Sequence, residues 1–308
     1  MGTTDQDADL VTTIRAATRA SPLARWQTDR VAQLLAPHGV HVEAVVVSTV
    51  GDERLDVPIH AMGGKGVFVT EVQRAVLDHR ADIAVHSMKD LPSVTEPGLV
   101  LAAVPERADV RDALVGARLA DLAEGASVAT GSIRRRAQLA ALRPDLVFSE
   151  LRGNIATRLR KASDYDAIVM AAAAIVRLGI DPDVWEALPV EVMLPQVGQG
   201  ALAVECRADA ASTLALLGTI DDVEAHRLTD AERAFLATLG GDCDLPAAAH
   251  ATAEAPGAEI TLRSLLAAED GTTVLRDERR GLDGVRLGSE AATALLDGGG
   301  RALLGPRR

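Results

Sequence analysis

Residues 81–92 read ADIAVHSMKDLP. Ile83 to Val85 is a short apolar run rich in β-branched residues, and it ends abruptly in His86, Ser87, Lys89 and Asp90. That is the pattern of a buried strand delivering polar groups at its C-terminal edge. In open α/β sheets ligands bind in the crevice beyond the carboxyl ends of strands, so this cluster is a candidate site. Pro92 stops further strand or helix and keeps the cluster on a loop. A plain solvated Lys–Asp loop would show the same residues, and the segment alone leaves both readings open.

Upstream, Val11 to Ile14 is expected as a first strand and Arg15 to Ala20 as a loop. Ser21 and Pro22 then form the N-cap and first residue of a helix that ends near Ala36, before Pro37. Leu23, Trp26, Val31, Leu34 and Leu35 make its expected buried face, and Gln27 projects from near its start. Arg19 lies just before that helix, placed to hold an anion with free backbone N–H groups, or to be an ordinary surface arginine. Val42 to Ser48 is almost continuously apolar, as in a parallel sheet covered on both faces. Gly51 to Met62 lacks periodicity and reads as a loop able to act as a lid. Gly63-Gly64-Lys65-Gly66 has a weak likeness to a phosphate cradle and is better read as a tight turn before a helix from Phe68 to Asp78.

Downstream, Leu99 to Val104 is another strand, and after Pro105 the pattern begins again. Ala126 to Thr130 is a strand, Gly131-Ser132 a turn and N-cap, and Ile133 to Leu142 a helix stopped near Pro144. Arg134, Arg135 and Arg136 thus fall in a first helical turn, against the helix dipole by roughly a few tenths of a kcal/mol each. Such a row calls for an anion, or is simply exposed. Leu146 to Leu151 is a strand with Arg152-Gly153-Asn154 as its polar exit, followed by a helix carrying Thr157, Arg158, Arg160 and Lys161. Tyr165 to Met170 and Ala171 to Leu178 repeat strand then helix, with Arg177 where it would complement the helix's negative end. Gln199-Gly200-Ala201 leads into Leu202 to Cys206, a strand that returns to the first half, which gives two βα lobes hinged around a cleft. From Val223 a helix runs to Leu239, Gly240 to Pro246 is a loop, and strands Ile260 to Leu266 and Thr273 to Glu278 turn around Asp270-Gly271. With a helix from Ser289 to Leu296 this is a small α+β domain.

A chain of 308 residues implies two or three domains. No apolar run approaches the ~20 residues of a membrane span, and Met1 to Leu10 lacks the basic and apolar regions of a signal peptide, so a cytoplasmic protein is expected. Cys206 and Cys243 are too few for a disulfide framework; Cys206, inside an apolar strand, reads as core. The net charge of −12 argues against nucleic acid and anionic membranes as partners. Yet between Val128 and Lys161 eight basic residues stand against two acidic ones. A local cationic patch in an acidic chain suggests a specific polyanionic ligand. Phe148 is the one aromatic in that patch, which does not suit base stacking.

The stretches ATRASPLARWQ, GGKGVFVTE, ADIAVHSMKDLP, GSIRRRAQL, RPDL, LRGNIATRLRK, YDAIVMAAAAIVRLG, LPQVGQGALAVECR and AERAFLATLGGDC occur in that order between Ile14 and Pro246. In residues, order and spacing the chain resembles the porphobilinogen deaminase, or hydroxymethylbilane synthase, family. The resemblance implies an α/β fold of two periplasmic-binding-protein-like lobes around a cleft plus a small C-terminal α+β domain. The implied domains are 1–105 with 201–221, 106–200, and 222–308. It implies a monomeric transferase of haem biosynthesis that joins four porphobilinogen units head to tail, losing ammonia each time, and hydrolyses off a linear tetrapyrrole. The chain grows on a dipyrromethane cofactor held by a cysteine thioether. Every unit adds two carboxylates, and arginine's planar fork suits them.

Carried over by motif, Asp90 would be the catalytic residue, stabilising the cation left by ammonia loss and assisting proton transfer, with Lys89 and the arginines keeping it ionised. Cys243 would be the covalent anchor. Ser87, Lys89, Gly131, Ser132, Arg134, Arg135 and Arg158 would hold the cofactor; Arg19, Gln27, Phe68, Arg152 and Arg177 would line the substrate's path. No metal is implied. The sequence departs from the family pattern at Asp242 and Asp244, which flank Cys243 and disfavour its thiolate, and at Gly131, where a serine is frequent. A non-catalytic two-lobed anion-binding protein is the competing reading; it leaves the loop around Cys243 without a purpose.

Overall fold

The computed structural model describes residues 12–48, 69–241 and 245–304. Strand β1 (Thr12–Arg19) runs through the stretch expected as a loop. Ala16, Ala17 and Thr18 are fully buried there, and the strand pairs in parallel with β2 (Val40–Val47) on one side and β3 (Ile83–Ser87) on the other. Arg15 disguised it. Its guanidinium donates to Asp82 at 2.8 and 3.1 Å, so a cation sits mid-strand with its charge met. Ser21 then caps helix α1 (Pro22–Leu35), its hydroxyl accepting from the Ala24 N–H at 3.3 Å. The helix buries Ala24, Gln27, Thr28, Val31 and Leu35. Leu23, Trp26 and Leu34 are only partly covered, so the buried face is rotated from the one expected.

The first sheet has the order β2-β1-β3-β10-β4, where β4 is Leu99–Ala103 and β10 is Leu202–Arg207. β10 runs antiparallel to both neighbours, so the chain does return to this sheet. β2 lies at an edge and is half exposed, not covered on both faces as its apolar run suggested. Helix α1 packs Val31 and Leu35 with Ile14, Ile83 and Val85. Helix α2 (Thr70–Leu77) brings Val72, Ala75 and Val76 to Ala17 and Ala84.

A second sheet repeats the plan in the order β7-β6-β8-β5-β9. Its strands are β5 (Asp112–Val115), β6 (Ser127–Ala129), β7 (Val147–Ser149), β8 (Ala167–Ala171) and β9 (Trp185–Ala187). Helices α3 (Ile133–Leu142), α4 (Ile155–Arg160) and α5 (Ala172–Arg177) follow β6, β7 and β8, as expected. β5 and β9 were not anticipated: they are four and three residues long, and β5 opens with a charged residue.

After α6 (Ala211–Leu217) and α7 (Val223–Leu239) comes a third, antiparallel sheet, β11 (Ala247–Ala253), β12 (Ile260–Ala267) and β13 (Val274–Gly281). β11, reading AAAHATA, is too rich in alanine to register as a strand, and it is held by its pairing with β12. The helix that follows β13, α8 (Gly284–Leu295), begins five residues before the expected Ser289, capped by Asp283. Gly284 and Gly288 are contact residues of this helix. A Cβ on Gly288 would overlap the Ala231 carbonyl oxygen and lie 2.8 Å from the Phe235 nitrogen, so the glycine lets α8 press onto α7. No helix among the described residues is long and apolar enough to cross a membrane. Gly288→Ala is expected to destabilise the protein by about 1–3 kcal/mol through overpacking, read by denaturant titration; an unchanged midpoint would show that the two helices separate without cost.

Candidate active site

β3 ends in His86 and Ser87 and passes into a single 3-10 turn, Met88–Asp90, closed by the Leu91 N–H on the Met88 carbonyl at 3.1 Å. The expected loop is therefore a short, fixed element. Buried Met88 anchors it, filling the space that a side chain on Gly198 would need. Ser87 accepts a hydrogen bond from Gln27 at 2.6 Å, which explains why a glutamine occupies the buried face of α1. Behind the strand, buried His86 lies 3.2 Å from buried Glu205, whose carboxylate also takes the Gln73 amide at 2.9 and 3.2 Å. Burial opposes ionisation of Glu205, but the nearby His86 and the bonds from Gln73 outweigh it and hold the carboxyl below its usual range. Asp90 stands exposed at the end of the turn.

Across the cleft, α3 starts at Ser132, whose side chain makes no capping bond. Gly131 precedes it with no room for a β-carbon, which would come 2.7 Å from the Leu151 carbonyl oxygen. Arg134 and Arg135 are buried, and the anion their position calls for is supplied by the chain itself. Fully buried Asp112, at the head of β5, accepts from Arg134 Nη1 at 2.7 Å and from Arg135 Nε at 2.9 Å. Burial disfavours the charged form of Asp112, yet the two guanidinium charges prevail and keep its carboxyl far below the ordinary range. Gln199 also donates to Asp112, at 2.9 Å, and turns its amide oxygen toward Lys89 Nζ at 3.2 Å and Arg135 Nη2 at 3.5 Å. Arg136 is exposed, so of the three arginines it alone follows the simple surface reading.

Arg158 donates to the Gly153 carbonyl at 2.8 Å. Its pKa is lowered to about 10 by burial and by Arg135, while the charge of Asp90, from the other lobe, raises it. Arg152 pairs with Glu150 at 2.9 Å. Arg177 does not merely neutralise its helix end: it donates to the Gly200 carbonyl at 2.6 Å and lies 5.3 Å from the centroid of the Trp26 ring, so it spans the two lobes. Burial lowers its pKa to about 10. Lys89 is lowered to about 8 by burial and by Arg135, with Asp90 acting in the opposite sense. Arg19 closes β1 opposite Val47. Cys206 is core, its thiol pushed up to about 11 by burial. Phe68, Cys243 with its flanking aspartates, the expected lid and the Gly63–Gly66 turn lie outside the described residues.

The sequence reading missed Asp112, Gln199 and Glu205. One signal was available for the first: two arginines in a helix's opening turn call for a carboxylate, and Asp112 opens a short apolar run, DALV. No group of three or more metal-ligating side chains is found among the described residues.

The family model described as porphobilinogen deaminase, dipyromethane cofactor binding domain, matches residues 14–215, and that of the porphobilinogen deaminase C-terminal domain matches residues 226–297. The chain belongs to the porphobilinogen deaminase family. A porphobilinogen deaminase of Roseiflexus sp. (strain RS-1) is 50% identical over 301 residues, covering 95% of this chain and 98% of its own. One from Acidithiobacillus ferrooxidans is 45% identical over 298 residues, covering 94% and 97%. Among solved structures, a nutrient binding protein from Burkholderia cenocepacia bound to methionine is similar at a TM-score of 0.43 and 18% identity, over 67% of this chain and 90% of its own.

Family membership makes the chain a transferase of tetrapyrrole biosynthesis with a dipyrromethane cofactor, and the non-catalytic reading falls. The residues fit that polycarboxylate. Arg134 Nε and Nη2 and Arg177 Nε are buried donors without a hydrogen-bond acceptor among the described residues, and a buried unpaired donor is costly unless a ligand meets it.

Two outcomes follow. Asp112→Asn leaves two buried guanidinium groups without their carboxylate and is expected to cost about 3–5 kcal/mol in unfolding free energy; a loss below ~1 kcal/mol would show that the arginines find other partners. The folded-state pKa of Lys89, about 8, lies below its ordinary value of 10.5. Between those values the unfolded chain binds more protons, so stability rises with pH and the burden of the buried ammonium fades. Lys89→Gln is therefore expected to raise the melting temperature at pH 7, with the gap closing between pH 8 and 10.5 in a calorimetric series.

Proposed function

We propose that Asp90 is the catalytic carboxylate of this hydroxymethylbilane synthase and that Cys243 carries its cofactor. The observation that carries the first assignment is the placement of Asp90. It stands exposed on a rigid turn, and its charge acts on Lys89 of its own lobe and on Arg158 of the facing one. A substrate pyrrole between the lobes meets a fixed carboxylate where positive charge develops as ammonia leaves. Such preorganised stabilisation is commonly worth ~10²–10³ in rate. The same oxygens receive the proton lost from the pyrrole carbon under attack, which is ordinary general-base work. Arg134, Arg158 and Arg177 bind and orient side-chain carboxylates, supported by their buried or half-buried N–H groups. Gln27 fixes the Ser87 hydroxyl, and Gln199 fixes the Lys89 ammonium. Arg19, Arg152, Ser132, Gly131 and Phe68 complete the binding set by motif. When bound, the dipyrromethane supplies the pyrrole carbon to which the first substrate unit is joined.

The working division of the chain is 1–105 with 201–221, 106–200 and 222–308, supported by the three separate sheets. The enzyme acts in the cytoplasm as a monomer, as the resemblance implies. It binds no nucleic acid, in keeping with a net charge of −12. Asp90→Ala, an exposed change, is expected to fold with an unaltered melting temperature and to lose at least ~100-fold in turnover. Near-wild-type turnover removes Asp90 from the mechanism. The protein's intact mass should exceed that of the bare sequence, and Cys243→Ser should abolish the excess.

A further inference from the structure

Helix α1 puts two consecutive side chains to two different uses. Gln27 goes inward and donates to Ser87 at 2.6 Å, while Val31 and Leu35 fill the core of the first lobe. Trp26 is only half-buried, and its ring meets Arg177, the last residue of α5, with the guanidinium carbon 5.3 Å from the ring centroid. α5 is rooted in the second lobe, where Ala172 and Ile175 pack with Ile168 and Met170. The contact therefore crosses the lobe junction. Arg177 Nη2 also donates to the Gly200 carbonyl at 2.6 Å, an oxygen that accepts the Ala108 N–H as well, at 3.1 Å. Nε of the same guanidinium is buried and has no acceptor among the described residues.

One hydrogen bond leaves a guanidinium free to pivot, and a second contact is needed to fix its plane. An aromatic face supplies that contact without taking an N–H, because it attracts the cation through its quadrupole. A carboxylate in the same place would also hold Arg177, but it would occupy the donors and cancel the charge that an anionic ligand needs. We propose that Trp26 is a positioning residue for porphobilinogen: its ring holds the Arg177 guanidinium across the lobe junction and leaves the unpaired donor for a side-chain carboxylate of the substrate. The inference rests on the assignment of Arg177 to those carboxylates. Burial lowers the pKa of Arg177 to about 10, so at neutral pH the ring acts on a full cation. A group held in place beforehand loses less freedom when the ligand arrives, so the ring contributes to substrate binding rather than to the chemical step.

The test is a double-mutant cycle on the holoenzyme, with the apparent KM for porphobilinogen, kcat and the melting temperature measured for each protein. Trp26→Leu keeps apolar bulk and removes the π face. Its KM should rise about five-fold, the scale of a partly desolvated cation–π contact, with kcat within about two-fold of wild type. Trp26→Phe keeps an aromatic face, and its KM should stay within about two-fold of wild type. Arg177→Gln should raise KM about ten-fold or more. In that background Trp26→Leu should add less than about two-fold, since the ring acts only through the guanidinium. An unchanged KM in Trp26→Leu overturns the proposal, whatever happens to the melting temperature. Equal rises in Trp26→Leu and Trp26→Phe, additive effects in the cycle, or a kcat loss larger than the KM rise overturn it as well. An unchanged KM in Arg177→Gln instead overturns the assignment of Arg177 on which the proposal rests.

Discussion

Asp112 accepts hydrogen bonds from Arg134, Arg135 and Gln199 with no exposure to solvent, and the geometry of the cleft depends on that one carboxylate. Burying an ion pair is seldom a net gain in stability, because the desolvation of both partners consumes most of their attraction. The arrangement makes sense as positioning. One Asp112 oxygen meets each guanidinium, and Arg134 Nε and Nη2 find no acceptor among the described residues. Gln199 carries the constraint across to the first lobe: its nitrogen donates to Asp112 and its oxygen meets Lys89, one residue from Asp90. The Met88–Asp90 turn and the arginine helix are thus registered to one carboxylate.

A second buried carboxylate ties in the third domain. Glu232 of α7 has no exposure and accepts from Arg107 Nη1 and Nη2 at 2.8 and 3.0 Å, from the Gly198 N–H at 2.8 Å and from the Ala251 N–H at 3.0 Å. Arg107 also donates to the Gln199 carbonyl at 3.0 Å. The Gly198–Gly200 segment is therefore read twice, by Glu232 and Arg107 through its main chain and by Asp112 through the Gln199 side chain. Its glycines are required. Gly198 and Gly200 have φ of 71° and 87°, and a β-carbon on Gly200 would lie 2.5 Å from the Ala108 carbonyl oxygen.

These junctions mark the limit of what could be read from the residues in order. β3 with its polar exit, the α3 arginines and the return strand after Gly200 were legible because each is a local pattern: an apolar run, a cap, a turn. Asp112 was not, because its meaning lies in pairing with residues twenty-two and twenty-three positions on, brought near by a four-residue strand too short to announce itself. Gln27 failed in the opposite way. Hydropathy placed Leu23 and Trp26 inward, whereas a hydrogen bond to Ser87, sixty residues away, decided which face of α1 is buried. The start of α8 was placed five residues late, at Ser289, although Asp283 caps a helix that opens at Gly284 and whose Gly288 sits at a close crossing with α7.

Burial is the first cause that lowers the pKa values of Lys89, Arg158 and Arg177, and the charge of Asp90 works against it at Lys89 and Arg158. A ligand bearing several carboxylates would supply counter-charge at these positions, and its binding would offset the desolvation of the cations. The cations are divided between the lobes, Lys89 on one and Arg158 and Arg177 on the other, with Arg177 also touching Trp26 and the Gly200 carbonyl. Carboxylates that reach both sets favour the lobes in register, whereas a monoanion satisfies one set only.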